Sequence, residues 1–163
     1  MGLQLPSGSD NVLLIAPPTM VVDHRMFLGS HRMYLERFFV RRLHQWLEAR
    51  CKNAAFIDCQ TDPASVLSLR GQRTAGPKSC APEKVNCGYH GLGRHELITR
   101  LRSMEPPDQV WITTLFTYDR EPVRETISAV KAVFPKSPVV VGGVYATLCP
   151  EDARAIGADD VHE

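Results

Sequence analysis

The sequence lacks the motifs of the commonest nucleotide and metal sites. No Gly-x-Gly-x-x-Gly follows an apolar run, and no Gly-x-x-x-x-Gly-Lys-[Ser/Thr] is present, which excludes a dinucleotide fingerprint and a P-loop. The five cysteines form neither Cys-x-x-Cys nor Cys-x-x-x-Cys-x-x-Cys, so no zinc ribbon or iron–sulfur site is complete within the chain. We expect these cysteines to be free thiols in a reducing compartment.

The sequence also has little net charge and no long apolar run. Its 19 basic and 18 acidic side chains leave a formal charge of +1, which argues against a nucleic-acid partner bound through a broad basic face. No run of 18 apolar residues is present, so we expect no membrane partner. Residues 1–10 lack the blocks of a signal peptide and are predicted to be a flexible lead-in, with a cytoplasmic location.

Short continuous apolar runs, separated by amphipathic segments, are the main pattern from residue 11 to residue 163. Continuous rather than alternating hydrophobicity is typical of strands that are buried on both faces of a parallel sheet. The order of strands and helices predicts one α/β domain, a doubly wound and mainly parallel five-stranded sheet of the flavodoxin or Rossmann type. The predicted strands are Val12–Ala16, Ala54–Asp58, Gln109–Phe116 and Val139–Val141, and Asp159–Glu163 is predicted to be the start of a fifth.

The helices are predicted from apolar spacing and from turn residues. The predicted helices cover His31–Cys51, Arg94–Met104, Glu121–Phe134 and Glu151–Ile156, the last of which ends at Gly157. A long stretch at 59–93, rich in Gly, Pro, Ser and charge, is predicted to be an irregular insertion. No helix follows the fifth strand, so we expect the last helix of the fold to be missing and the chain to be the front part of a longer polypeptide.

The segment Pro138–Ala153 points to a ligand site. Its buried strand ends in Gly142-Gly143, where bare backbone lets a ligand approach closely, and Thr147 and Pro150 then predict the cap and first turn of a helix. In an open α/β sheet, ligands bind at the carboxyl ends of the strands. The loops after the first, third and fourth strands are therefore expected to meet there, with hydroxyls and backbone amides suited to neutral hydrogen bonding.

Catalytic residues are not predicted from this sequence. Asp23-His24 is an adjacent acid–imidazole pair, but neighbouring side chains need not face each other, and a solvated loop is the simpler interpretation. His90 and His95 lie in a glycine-rich segment that suits either a contact loop or a plain surface loop. No nucleophile, base and orienting group can be named together.

Two stretches resemble a known family. Pro107-Asp-Gln-Val-Trp-Ile-Thr-Thr-Leu-Phe-Thr-Tyr-Asp119 and the Gly-Gly-Val-Tyr-Ala-Thr-Leu-Cys-Pro-Glu run that starts at Gly142 look like the amino-terminal cobalamin-binding domain of radical SAM enzymes. Val12-Leu-Leu-Ile-Ala-Pro-Pro18 is similar to the opening strand of that domain. The resemblance is close from Pro107 onward, fair up to Asp58 and vague between them.

The resemblance implies a cofactor-binding role rather than catalysis. It implies that this domain holds cobalamin beside a downstream radical SAM barrel of the same polypeptide, and that S-adenosylmethionine and the iron–sulfur cluster belong to that barrel. Histidine ligation of the cobalt from below uses Asp-x-His-x-x-Gly in such domains, whereas Asp23 and His24 are adjacent here. The implied cofactor-binding residues are Pro17, Pro18, Thr113, Thr114, Thr117, Tyr118, Gly142, Gly143, Val144, Tyr145, Ala146 and Thr147, with His24 as the one candidate cobalt ligand.

Two other functions stay open at this point. The same fold without a cofactor would serve as a docking module for a substrate or for the catalytic barrel, and the 59–93 segment would then cover or fill the crevice. A free-standing receiver or flavin-binding domain fits less well. A receiver needs an acidic cluster after its first strand and an aspartate at the end of the third, where this chain reads Ala-Pro-Pro and Thr-Leu-Phe.

Overall fold

The computed structural model describes residues 10–22, 32–64, 66–75, 83–114 and 119–162. Eight strands and five helices lie in these ranges. In chain order they are β1 Asn11–Ala16, β2 Thr19–Val22, α1 Arg32–Glu48, β3 Asn53–Asp58, β4 Val66–Ala75, β5 Glu83–Gly91, α2 Arg94–Arg102, β6 Gln109–Thr113, α3 Arg120–Val133, β7 Val139–Gly142, α4 Val144–Leu148, α5 Pro150–Ala155 and β8 Asp160–His162.

The central sheet has five strands in the order β3-β1-β6-β7-β8, and every neighbouring pair is parallel. Counting only these strands along the chain, the order is 2-1-3-4-5, which is the flavodoxin-like order of doubly wound sheets. The predicted α/β fold and its five-stranded parallel sheet are confirmed. Each predicted strand lies within about two residues of the observed one, except that the described part of β6 ends at Thr113.

Burial on both faces explains why the strands read as continuous apolar runs. Leu13 and Ile15 of β1 pack with the helices α2, α3 and α5 on one face of the sheet. Leu14 packs on the opposite face, in a smaller cluster with Val40 and Leu47 of α1. Because adjacent positions of a strand point to opposite faces, both must be apolar when helices cover both faces.

A second sheet departs from the sequence-based expectation. Within 59–93, where we expected irregular structure, β4 and β5 pair antiparallel, and β2 pairs with β5 to give the order β2-β5-β4. We call these three strands the inserted sheet. The register shifts between Leu69 and Gln72, so the β4 strand is interrupted by a bulge. Pairing with β2, which lies more than 60 residues earlier in the chain, is a non-local stabilisation that local composition does not reveal.

Close backbone contacts attach the inserted sheet to the edge of the central sheet. The amide of Leu92 donates to the carbonyl of Cys59 over 2.8 Å, and the side-chain amide of Gln60 donates to the carbonyl of Pro17 over 3.0 Å. Gly91 has a φ of 147° and lies so near Pro18 that a β-carbon there would collide with the proline. The inserted sheet therefore begins from tightly packed backbone at the carboxyl ends of β1 and β3.

The segment after β7 folds differently from the prediction. The helix α4 begins at Val144, directly after Gly143, so Thr147 lies inside a helix and does not cap one. Its hydroxyl donates to the carbonyl of Gly143 over 3.1 Å, one turn back. The next helix, α5, begins with Pro150 in its first turn, and Gly157 follows it with a φ of 113°, as the sequence predicted.

Among the helices that the structure describes, none has the length and apolar character needed to cross a lipid bilayer.

Candidate functional site

A groove lies at the carboxyl ends of β6 and β7, between the central sheet and α1. Its volume is about 620 Å³, which is within the range of small-molecule sites. The helix α1 forms one wall, and β6, β8 and the β7–α4 junction form the floor and the other wall. We call this feature the groove, and its lining residues are Phe39, Arg42, Leu43, Trp46, Trp111, Ile112, Thr113, Gly142, Gly143, Val144, Thr147 and His162.

The glycine pair shapes the end of the groove. Gly143 has a φ of 92° and a ψ of −173°, a conformation that residues with a β-carbon rarely adopt. A β-carbon at Gly143 would collide with the carbonyl oxygen of Thr114 and would lie 3.1 Å from the Thr113 hydroxyl. At Gly142 the nearest atom to such a carbon is the β-carbon of His162 at 3.8 Å, an ordinary contact. Gly143 is thus required by the backbone, and Gly142 leaves open space in the groove.

Both tryptophans of the chain line the groove. The ring centroids of Trp46 and Trp111 are 6.4 Å apart, and the ring planes are inclined by 35°. The indole N–H of Trp111 donates to the side chain of Gln109 over 2.8 Å, so its polar edge is satisfied within the buried sheet. The Arg50 guanidinium stacks on the Trp46 ring, 4.3 Å from its centroid. The wall at Trp46 and the floor at Trp111 thus offer fixed aromatic surface to a planar, apolar ligand.

The ionisable side chains that line the groove are basic. Its ionisable lining residues among those described are Arg42 and His162, and no carboxylate lines it. The imidazole of His162 lies 6.2 Å from the Trp111 ring, centroid to centroid. Arg42 extends from α1 with its guanidinium 5.7 Å from the centre of the Phe38 ring. An apolar ligand that carries a negatively charged group suits this arrangement better than a cationic one.

Five of the predicted cofactor-binding residues lie together in the groove. They are Thr113, Gly142, Gly143, Val144 and Thr147. Thr114 is buried directly behind them, with 1% of its surface exposed. The sequence predicted a crevice at the carboxyl ends of the first, third and fourth strands of the central sheet, which are β1, β6 and β7. The groove lies at the carboxyl ends of β6 and β7 and is bounded by β8.

Four other predicted residues do not reach the groove. Pro17 and Pro18 lie beneath the inserted sheet, where they contact Gln60 and Gly91. Tyr145 and Ala146 are buried in the core on the far face of the central sheet. The Tyr145 hydroxyl donates to Asp152 over 2.6 Å, and Arg120 binds the same carboxylate over 2.8 Å. None of these four residues is among the described residues that line the groove.

Removing the Tyr145 hydroxyl is expected to cost stability without affecting ligand binding. The pKa of Asp152 is lowered, first by the hydrogen bond from Tyr145 and then by Arg120, against the opposing effect of burial. Tyr145→Phe should therefore lower the free energy of unfolding by about 1 kcal/mol at neutral pH, as measured by urea denaturation.

The pH dependence of this loss has a defined sign. A carboxyl whose pKa is depressed by folding stabilises the protein above its unfolded pKa of about 3.9 and loses that contribution as the pH falls through the folded value. The difference in the free energy of unfolding between wild type and Tyr145→Phe should therefore become smaller below about pH 4. If Tyr145→Phe also weakened ligand binding by about 1 kcal/mol, this result would contradict the placement of Tyr145 away from the groove.

The remaining predicted site residues, Thr117, Tyr118 and the candidate cobalt ligand His24, lie outside the described residues. Across the described part of the chain, no group of three or more His, Cys, Asp or Glu side chains is arranged to hold a metal ion.

Sequence reasoning missed the wall that α1 contributes. Phe39, Leu43 and Trp46 belong to an apolar stripe along the predicted helix His31–Cys51, and neither this stripe nor Trp111 and His162 was predicted to be part of the site. Phe39 is 56% exposed, so part of this stripe faces the groove rather than the sheet. The available signal was the width of the stripe, because two adjacent phenylalanines cannot both face the sheet from one helix.

The mouth of the groove is bordered by exposed apolar side chains. Phe38 and Phe39 on α1 are 57% and 56% exposed, and their rings meet edge to face with centroids 5.8 Å apart. Val144 and Leu148 on α4 are 43% and 65% exposed on the other side. These are the large apolar side chains that the described part of the chain leaves most exposed. Phe39 and Val144 line the groove, and Phe38 and Leu148 extend from the same two helices beside them.

The fold and the groove define a class: an α/β domain of flavodoxin-like strand order, with an apolar groove at the carboxyl ends of its third and fourth parallel strands. No protein-family model matches the chain, and no curated protein matches it. The resemblance noted from the sequence therefore stays a prediction.

Proposed function

We propose that this chain is a cofactor-binding domain that holds cobalamin and presents it to a radical SAM catalytic domain of the same polypeptide. The observation that carries the proposal is the position of the groove. It opens at Gly142-Gly143 and Thr113, which are the residues on which the family resemblance depends. The groove is apolar, has aromatic side chains on its floor and has no carboxylate among its described lining residues, which suits a planar base joined to a phosphate.

The fit concerns the nucleotide tail of cobalamin. A volume of about 620 Å³ accommodates a bicyclic aromatic base with its sugar, and the bulkier corrin ring would lie outside, at the mouth. Gly142 would let the tail pass close to the backbone of β7, while Trp111 and Trp46 would contact the base. Arg42 and His162 would face the phosphate. When bound, cobalamin supplies methyl-transfer or related cobalt chemistry, and this chain's described residues would bind and orient it.

A second function is favoured by the exposed rims. Phe38, Phe39, Val144 and Leu148 form an apolar border that also suits docking of an apolar segment of a substrate or of a neighbouring domain. In that case the chain is a cobalamin-domain-like module without cofactor. The two functions differ in whether the groove accepts a corrinoid.

The test is a titration of the purified chain with hydroxocobalamin, followed by the visible spectrum of the corrinoid and by co-elution in gel filtration. We expect saturable binding with a micromolar or tighter Kd. No spectral change and no co-elution at high protein concentration would contradict the cofactor-binding function and favour the docking module.

A further inference from the structure

A buried carboxylate joins the inserted sheet to the groove. Asp119, just before α3, has no exposed surface. It accepts a hydrogen bond from the Thr19 hydroxyl of β2 over 3.1 Å and another from the Thr114 hydroxyl, at the end of β6, also over 3.1 Å. Thr19 and Thr114 are themselves buried, with 7% and 1% of their surfaces exposed. A buried carboxylate is costly unless such donors are held in place, so the three side chains constrain one another.

The same cluster is in direct contact with the glycine pair. The amide of Thr114 donates to the carbonyl of Gly142 over 3.3 Å, and the carbonyl oxygen of Thr114 lies 2.3 Å from the position that a β-carbon of Gly143 would take. The position of Thr114 therefore sets the position of the backbone that forms the end of the groove. Thr19 is not among the described residues that line the groove. Among the described residues, Asp119 and Thr114 form the hydrogen-bonded path from Thr19 to the groove.

We propose that Asp119 is a positioning residue that couples the inserted sheet to the groove, through Thr19 on one side and Thr114 on the other. The inserted sheet then helps to hold the backbone of Gly142-Gly143 in position and is not structurally independent of the groove. Removing either hydroxyl contact breaks the same connection between Thr19 and Thr114 through Asp119. Once one contact is lost, removing the other should therefore have no further effect on the groove.

The first test needs no ligand and measures amide hydrogen exchange. Thr19→Val keeps the shape of the side chain and removes the hydroxyl that Asp119 accepts. We expect the amides of Thr114 and Thr147 to exchange about tenfold faster than in wild type, while core amides of β1 such as Leu14 keep their rates. Thr114→Val should produce the same increase at Thr147, and the double variant should produce no more than either single one.

Two controls separate coupling from a general loss of stability. Thr126→Val removes another buried threonine hydroxyl, which donates to the Pro122 carbonyl over 2.8 Å within α3, away from the groove. It should leave exchange at Thr147 unchanged. Thr19→Ser restores the hydroxyl and should restore the wild-type rates. Unchanged exchange in Thr19→Val, or additive effects in the double variant, would overturn the proposal. Should Thr19→Val not fold, Thr19→Ala against Thr19→Ser carries the same comparison.

The second test rests on the proposed function. Thr19→Val should weaken hydroxocobalamin binding about tenfold, although Thr19 does not line the groove, and Thr126→Val should leave it unchanged. If the wild-type chain binds and Thr19→Val binds equally well, the coupling is wrong. If the wild-type chain does not bind, the cofactor-binding function is wrong, and the exchange measurement still decides the coupling.

Discussion

Replacing Gly142 with leucine is expected to lower the affinity for cobalamin at least about 100-fold, equivalent to about 2.7 kcal/mol. Gly142 lies two residues after Val140, on the face of the sheet that α1 covers, and it lines the groove. A side chain at this position therefore projects into the space proposed for the nucleotide tail. The loss should appear as a weaker spectral titration with hydroxocobalamin.

The matched control is Gly142→Ala. Its β-carbon would lie 3.8 Å from that of His162, an ordinary contact, so we expect the alanine variant to fold and to bind with a much smaller loss. Both variants should unfold at denaturant concentrations close to that of wild type. Equal affinity in wild type and Gly142→Leu would mean that the groove does not hold the cofactor.

Replacing Gly143 with alanine is expected to lower the free energy of unfolding by about 3 kcal/mol or more, as measured by urea denaturation. Two costs combine at this position. The φ of 92° with an extended ψ is a conformation nearly restricted to glycine, and the β-carbon would collide with the Thr114 carbonyl. The sequence alone predicted Gly143 as a ligand contact, but because a β-carbon there would collide with the Thr114 carbonyl, we expect its substitution to disturb the fold first.

Gly157→Ala separates these two costs. Gly157 also has a positive φ, 113°, but its β-carbon would meet only the Ile127 side chain, at 3.3 Å. We expect this variant to lose about 1–2 kcal/mol, mainly from the backbone conformation, because the Ile127 side chain can relieve the contact by a small shift. A loss at Gly143 no larger than that at Gly157 would contradict the collision with Thr114.

The sequence was sufficient to predict the central sheet because the patterns that indicate its strands are local. Val12–Ala16 and Val139–Val141 are continuous apolar runs, and burial on both faces of a parallel strand requires that pattern. The inserted sheet was not predicted because β4 and β5 depend on pairing with β2, which is distant in sequence. Local composition gives no information on such a partner.

The candidate site was predicted in part for a similar reason. Gly142 and Gly143 were recognised because unusual backbone needs glycine, a property written in the sequence. Tyr145 was misplaced because its direction depends on where α4 begins. A helix that starts at Val144 turns Tyr145 toward the core, and it leaves Val144 and Leu148 together on the outer face, four residues apart. The wall from α1 was missed because it is formed only when the helix packs over the sheet.

The proposed function depends on whether the groove holds the nucleotide tail of cobalamin. Its most direct test is the titration of the wild-type chain with cobalamin and, in parallel, with cobinamide, which has the corrin ring but lacks the nucleotide. We expect a micromolar or tighter Kd for cobalamin and at least about tenfold weaker binding of cobinamide, since the contacts to Trp111, Gly142 and Arg42 would be lost. Equal affinities for the two corrinoids, or no binding of either, would contradict it.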